Sequence, residues 1–192
     1  MNCVNIGYNS TNYYAIHHQR YYLLIDVGLP GTLGKMKNHF RKYSINLYDI
    51  KYMIATHFHP DHCGIAQELQ QLGVELILSK TQLEFLKAAN ESLAKFPDYK
   101  EIVANPNSII NENDRSSFLE KLSMPGYILH TPGHSEDSIS IVIDGLGVFT
   151  GDLPLMNTRR SEQDEVIEQS WTKIRRTNQR KIFPGHGNSF EL

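Results

Sequence analysis

The sequence predicts an α/β chain in which two sheets carry helices on their outer faces, a layered sandwich. Three observations lead there: β-prone runs gather at both ends, strand–helix alternation fills the middle, and Gly or Pro punctuates the pattern at Gly28–Gly31, Gly73 and Pro184. At the N-terminus, Cys3–Tyr8, Asn12–His17 and Tyr21–Val27 read as a meander, separated by Asn9-Ser10-Thr11 and His18-Gln19-Arg20. Leu33–Tyr43 reads as a helix with Leu33, Met36, Lys37 and Phe40 near one stripe. Lys51–Thr56 is a short buried-type strand. A helix follows from about Gly64 to Leu72, with Ile65, Leu69 and Leu72 at helical spacing and Gly73 as its stop.

Val74–Leu78 is again a strand, and Thr81-Gln82-Leu83-Glu84 offers a capping box for a helix running towards Asn90. The stretch 91–126 is polar and Asn-rich, broken by Pro97, Pro106 and Pro125. It reads either as a lid or insertion over a site, with Phe96, Pro97 and Tyr99 as wall candidates, or as a surface excursion or dimer contact. Strands resume at Tyr127–Thr131, Ser138–Ile143 and Val148–Thr150. A helix from about Ser161 to Asn178 carries Ile167, Trp171 and Ile174 on one side, and Lys181-Ile182-Phe183 closes the pattern. The whole, 1–192, is expected to form one catalytic domain.

Composition removes several functions. With 19 basic and 21 acidic residues the net charge is −2, so capture of a nucleic acid by an extended basic surface is not expected. The local basic excess, Arg159, Arg160, Lys173, Arg175, Arg176, Arg180 and Lys181, lies beside Glu162, Asp164, Glu165 and Glu168 and reads as a solvated helix face. Cys3 and Cys63 make no disulfide framework. Neither a signal peptide nor a bilayer-spanning run is visible, so a cytoplasmic, membrane-free location is expected, with a homodimer left open. No Gly-x-Ser-x-Gly elbow is present, and Gly28–Met36 fails as a P-loop because Leu29 and Met36 occupy required positions.

The nine histidines are unevenly placed. Thr56-His57-Phe58-His59-Pro60-Asp61-His62-Cys63-Gly64 sets four ligand-type residues where a strand ends and a helix begins. His57 and His59, two apart in an extended segment, project to one side. Pro60 turns the chain so that Asp61 and His62 can re-aim across the same space. A lone His before Pro is ordinary, and Asp61 alone could cap a helix; four together point to zinc or another borderline divalent metal. Three later fragments each end a short strand in a Gly-containing turn with a ligand-type residue: His130-Thr131-Pro132-Gly133-His134, Thr150-Gly151-Asp152 and Pro184-Gly185-His186. His17 and His18 read as strand-end residues, His39 as a solvated helix position and His130 as core or support; Cys63 reads as a packed thiol.

The set His57-x-His59-x-Asp61-His62, His134, Asp152 and His186, with Ile25-Asp26-Val27-Gly28 upstream, resembles the metallo-β-lactamase superfamily of metallohydrolases from about Tyr21 to Gly187. The resemblance implies a four-layer αββα sandwich with metals at one edge of the sheets, and an aspartate, Asp26, that supports the site. It implies two Zn²⁺ per chain, with iron or manganese as the other candidates: His57, His59 and His134 for the first ion, Asp61, His62 and His186 for the second, and Asp152 between them. The resemblance also implies a catalytic role for Asp61 and Asp152.

The expected reaction is hydrolysis by a hydroxide shared between the ions, acting on a small-molecule thioester, lactone or similar activated acyl bond. The thioesterase and lactonase-like branches, including hydroxyacylglutathione hydrolases, are the ones resembled. Their C-terminal helical domain is not expected, since six residues follow His186. The alternatives are a mononuclear iron persulfide dioxygenase-like oxidoreductase and a phosphodiesterase or RNA-processing nuclease.

Overall fold

The computed structural model describes residues 1–155 and 162–192, the side chains of 162 and 163 excepted. The strands are β1 (Asn2–Asn5), β2 (Tyr14–His18), β3 (Tyr21–Ile25), β4 (Ile50–Ile54), β5 (Glu75–Leu76), β6 (Leu78–Ser79), β7 (Ile109–Ile110), β8 (Gly126–His130), β9 (Ile139–Ile143), β10 (Gly147–Gly151), β11 (Lys181–Pro184) and β12 (Phe190–Glu191). The helices are α1 (Leu33–Lys42), α2 (Pro60–Cys63), α3 (Ala66–Gln70), α4 (Lys80–Leu93), α5 (Arg115–Leu122) and α6 (Glu162–Arg175). One sheet runs β1-β2-β3-β4-β5 and the other β12-β11-β10-β9-β8, with β6 and β7 as a separate pair. The N-terminal meander is antiparallel, whereas β3–β4, β4–β5 and β10–β11 are parallel, as helical crossovers require.

Strict alternation along the strands builds the layers. Tyr14, Ile16, Leu23, Ile25, Tyr52 and Ile54 face Ile139, Ile141, Ile143, Phe149 and Phe183 between the two sheets. Their neighbours point outward. Ala15, Leu24 and Met53 meet Met36 and Phe40 of α1, Ala66 and Leu69 of α3, and Leu86 of α4. On the far side Val142, Val148 and Ile182 meet Ile167, Trp171 and Ile174 of α6. Helices, sheet, sheet, helix: this is the expected four-layer αββα order. Fully burying one such Leu or Ile side chain stabilises by about 1.5–3 kcal/mol, so all three apolar layers contribute to holding the sandwich together.

Several local expectations need correction. The helix expected over Gly64–Leu72 is shorter, α3 at Ala66–Gln70, and a separate turn, α2, precedes it; the Ile65 N–H turns back to the Gly28 carbonyl (3.1 Å) instead of joining the two in one ladder. The strand expected over Val74–Leu78 divides between β5 and β6. The capping box belongs to Ser79 and Gln82, not Thr81 and Glu84: Ser79 is extended and accepts from the Gln82 N–H, while Gln82 accepts from the Ser79 N–H. The Thr81 N–H is held instead by Glu112 (2.9 Å). Residues 91–126 supply Leu93 and Ile102 to the helix-side layer and Ile110, Phe118, Leu122 and Met124 to the inter-sheet layer. The start expected for the last helix at Ser161, and the side chains of Arg159 and Arg160, lie outside the described residues. Among the described residues no helix is long and apolar enough to cross a membrane.

β3, β4, β8, β10 and β11 all run towards one edge, and the residues just beyond their carboxyl ends meet there. Backbone bonds close that edge across the sandwich: Ile139 N–H donates to the Thr56 carbonyl (2.8 Å).

Candidate metal centre

All seven ligand-type residues singled out by the sequence are brought together at this edge. Their ligand atoms form three overlapping groups, each within 4.8 Å: His57 with His59 and His134; Asp61 with His62 and His186; and His57 with His62 and Asp152. The last group draws one residue from each of the other two, so Asp152 sits between them. Its Oδ2 lies 3.4 Å from His62 Nε2, 3.6 Å from His134 Nε2 and 3.3 Å from His186 Nε2.

The rings of His57, His62 and His186 are turned so that one nitrogen is tied down and the other faces the shared space. His62 Nδ1 donates to Asp26 Oδ2 (2.8 Å), leaving Nε2 inward. His186 Nδ1 is 2.7 Å from the Ser10 carbonyl, which can only accept, so Nδ1 carries the proton. Thr56 Oγ1 donates to Asp26 Oδ2 (2.9 Å) and so accepts from His57 Nδ1 (3.1 Å). His59 Nδ1 and His134 Nε2 face each other at 2.9 Å. Asp26, at φ 62°, is one of few non-glycine residues in the left-handed region, and also accepts the Thr56 N–H (2.6 Å). Backbone strain of ~1–3 kcal/mol held at a buried carboxylate is a feature of functional sites.

The arrangement fits metal ions on its own evidence. His57 Nε2, His62 Nε2 and Asp152 Oδ1 are buried without a hydrogen-bond partner. Such orphaned atoms each cost ~1–3 kcal/mol unless something absent from a bare polypeptide satisfies them. The carboxylate–histidine pairing of Asp26 with His62 is also the support expected behind a metal-ligating imidazole.

Residues 6–186 match the metallo-beta-lactamase superfamily. The chain belongs to that superfamily. A probable metallo-hydrolase of Methanocaldococcus jannaschii is 30% identical over 198 residues, covering 94% of this chain and 89% of that protein. Hydroxyacylglutathione hydrolase GloC of Haemophilus influenzae is 29% identical over 177 residues, covering 86% and 79%. The crystal structure of a metallo-beta-lactamase family protein of Thermus thermophilus shares the fold at a TM-score of 0.74 and 20% identity, covering 98% of this chain and 73% of that one. The metallo-beta-lactamase of Elizabethkingia meningoseptica does so at 0.73 and 18%, covering 96% and 74%. This chain is thus a metallo-hydrolase of the superfamily with a His/Asp metal-binding cluster.

Charge at the centre of this metallo-hydrolase follows from burial and crowding. Burial, then the neighbouring imidazoles His62, His59, His134 and His186, hold His57 well below the usual histidine range, in the neutral form a metal needs. Burial also opposes a charge on His62, but the carboxylates of Asp26 and Asp152 outweigh it and push His62 up to about 10. Burial disfavours the Asp152 carboxylate, yet His62, His186 and His134 hold it below the ordinary range. His134 is lowered by burial, with Asp152 opposing and His59 and His62 adding to the effect.

Two glycines are set by this crowding. A Cβ on Gly185 would fall 2.3 Å from Asp152 Oδ1 and 2.8 Å from His62 Cε1. One on Gly151, at φ +54°, would fall 2.4 Å from Thr56 Oγ1.

The other histidines separate cleanly from the superfamily cluster. His17 leans on Tyr22, with ring centroids 4.8 Å apart, and His18 bonds the Ser123 carbonyl (2.8 Å). His39 is half-buried and not solvated, bonded to the Ile6 carbonyl (2.9 Å) and tilted on Tyr8. His130 bonds the Glu136 carbonyl (2.8 Å) and lines a cleft beside His134. Cys63 is fully buried, its thiol donating to the His59 carbonyl (3.3 Å).

Four supporting residues carry no mark in the sequence. Asp137 accepts the Phe58 N–H (2.6 Å) between the two paired histidines. Thr11 donates to Asp61 Oδ2 (2.9 Å), and Ser10 and Asn12 flank it. No spacing signal could have exposed them, because each partner lies tens of residues away.

Two clefts open from the centre, sharing His134. One, about 470 Å³, runs from Asp152 and His186 past Leu153, Leu155, Trp171 and Phe190. The other, about 500 Å³, runs past Pro132, Phe85 and Val166.

Proposed function

We propose that this metallo-hydrolase cleaves activated acyl bonds, thioesters, lactones and related esters of small molecules, with two zinc ions per chain, and that it works in the cytoplasm. His57, His59 and His134 would hold one ion and Asp61, His62 and His186 the other, with Asp152 between. The observation that carries this reading is the inward set of orphaned or facing ligand atoms, nitrogen-rich and therefore suited to zinc. Bound there, two divalent ions would activate water at neutral pH and polarise the bond to be cut.

The chain's own residues do the rest. Asp61, held at Oδ2 by Thr11, is the carboxylate assigned to orient the attacking water. Asp152 keeps the two halves at a fixed spacing. The acyl preference is supported by the clefts: their described lining is rich in Leu, Trp, Phe, Pro and Val and includes no Lys or Arg to grip a phosphodiester. It is supported too by the likeness to GloC, which is called a hydroxyacylglutathione hydrolase.

A second reading rests on the group His57, His62 and Asp152, two imidazoles and one carboxylate, a set that also suits non-haem iron. One measurement separates them: elemental analysis of the purified protein together with a turnover screen over thioesters, lactones, β-lactams and phosphodiesters. Two zinc ions and turnover of the acyl substrates are expected. One iron per chain with oxygen consumption, or turnover of the phosphodiesters alone, would overturn the proposal.

A further inference from the structure

We propose that the tip of the β1–β2 hairpin, residues Tyr8–Asn12, is a positioning element for one half of the centre only, holding Asp61 and His186 in ligating geometry. The inference rests on the proposed ligand roles of those two residues. Tyr8 and Thr11 exchange backbone hydrogen bonds (3.1 and 3.2 Å) around Asn9 and Ser10, which stand at φ 54° and 65°. Two successive left-handed residues are the mark of a tight two-residue hairpin turn, and they fix the direction in which its flanks point.

Three contacts leave that turn. Thr11, 3% exposed, donates its hydroxyl to Asp61 Oδ2 (2.9 Å), the same oxygen that faces His62 Nε2 at 3.5 Å and His186 Nε2 at 3.4 Å. The Ser10 carbonyl takes the His186 Nδ1 proton and thereby fixes the tautomer whose Nε2 looks inward. Asn12 clamps the loop on both sides of His186: its N–H donates to Gly185 O (2.7 Å), and its Nδ2 to Pro184 O (2.9 Å) and Gly187 O (2.8 Å). Asn5 Nδ2 in turn holds Asn12 Oδ1 (2.7 Å). No comparable contact runs from the hairpin to His57, His59 or His134 among the described residues.

The asymmetry supplies the test. In the metal-free protein, at a pH where the ring is neutral, imidazole nitrogen NMR should show His186 as the Nδ1–H tautomer. Asn12→Ala should turn it into a mixture while leaving the His57 signals in place. A mixed tautomer in the unaltered protein, or no change in Asn12→Ala, would overturn the inference.

Zinc titration against a chelator supplies the second readout. Thr11→Val, which keeps the shape and removes the donor, should weaken one zinc site by about 10–100-fold and leave the other unchanged. Thr11→Ser should restore it. Unchanged affinity at both sites, or equal loss at both, counts against the positioning role. Failure of the parent protein to take up two ions would sink the ligand reading instead, and the tautomer measurement would still decide the hairpin's role.

Discussion

His57, His59 and His134 are arranged by neighbours: Thr56 holds the His57 ring, His59 and His134 face each other, and one distant carboxylate, Asp137, grips the loop backbone at Phe58. Asp61, His62 and His186 are each gripped directly on the side chain by a residue far along the chain. The separations are 50 positions for Thr11–Asp61, 36 for Asp26–His62 and 176 for Ser10–His186. The first trio inherits its geometry from one strand-end loop and a facing turn. The second has its geometry only once the N-terminal meander has paired with β4 and its hairpin tip has docked on the loop after β11. Loss of tertiary order should therefore silence the second trio first.

The strongest way to erase the contrast is to remove the group common to both. Asp152→Ala should lower turnover by more than the ~10–100-fold that loss of a supporting residue costs, and reduce the metal content of both halves. A variant with full metal content and unchanged rate would overturn the place proposed for Asp152 between the two halves. Asp26→Ala should sharpen the contrast. It removes the carboxylate bonded to buried His62 at Nδ1 and leaves only Asp61 and Asp152 on the Nε2 side, which should cost about 3–5 kcal/mol in the urea unfolding of the metal-free protein. Metal loss should begin with the ion assigned to His62; equal loss of both ions would mean that Asp26 serves the halves alike through Thr56.

Smaller effects follow from crowding and protonation. Gly185→Ala pushes a methyl group towards Asp152 and His62, and overpacking of this kind costs ~1–3 kcal/mol. We expect it to appear as roughly tenfold or greater weakening of the second ion, read by chelator competition.

The pH dependence has a definite sign. His62 rises from 6.5 to about 10 in the folded, metal-free protein. Its pairing with Asp26 and Asp152 therefore stabilises fully below pH ~6.5 and is lost as pH climbs towards 10. Urea midpoints of metal-free protein should fall across that window. On the proposed ligand role of His62, zinc binding would displace its Nε2 proton, so calorimetry in buffers of different ionisation enthalpy should detect proton release. Absence of release at neutral pH would mean that His62 is already neutral there.

Much of the centre was legible because its chemistry is local. His57, His59, Asp61 and His62 share one strand-end loop, and His134, Asp152 and His186 each follow a short strand and a glycine, so residue type and order mark them in one dimension. The layers were legible for the same reason, since alternation in β2, β3, β4 and β9 writes both faces of a sheet into consecutive residues. The misplaced capping box shows where local reading stops. Ser79 and Thr81 both begin acceptable patterns, and the choice fell to Glu112, 31 positions away, which occupies the Thr81 N–H.

By itself the sequence determined which residues can bind metal, their order along the chain and the sandwich that gathers them, because these depend on side-chain chemistry and short periodicities. Only the tertiary structure decided what holds the ligands in place. Thr11, Ser10, Asn12 and Asp137 are ordinary polar residues in one dimension. They become supports when the folded sheets bring them within 2.6–2.9 Å of groups that would otherwise be free to turn.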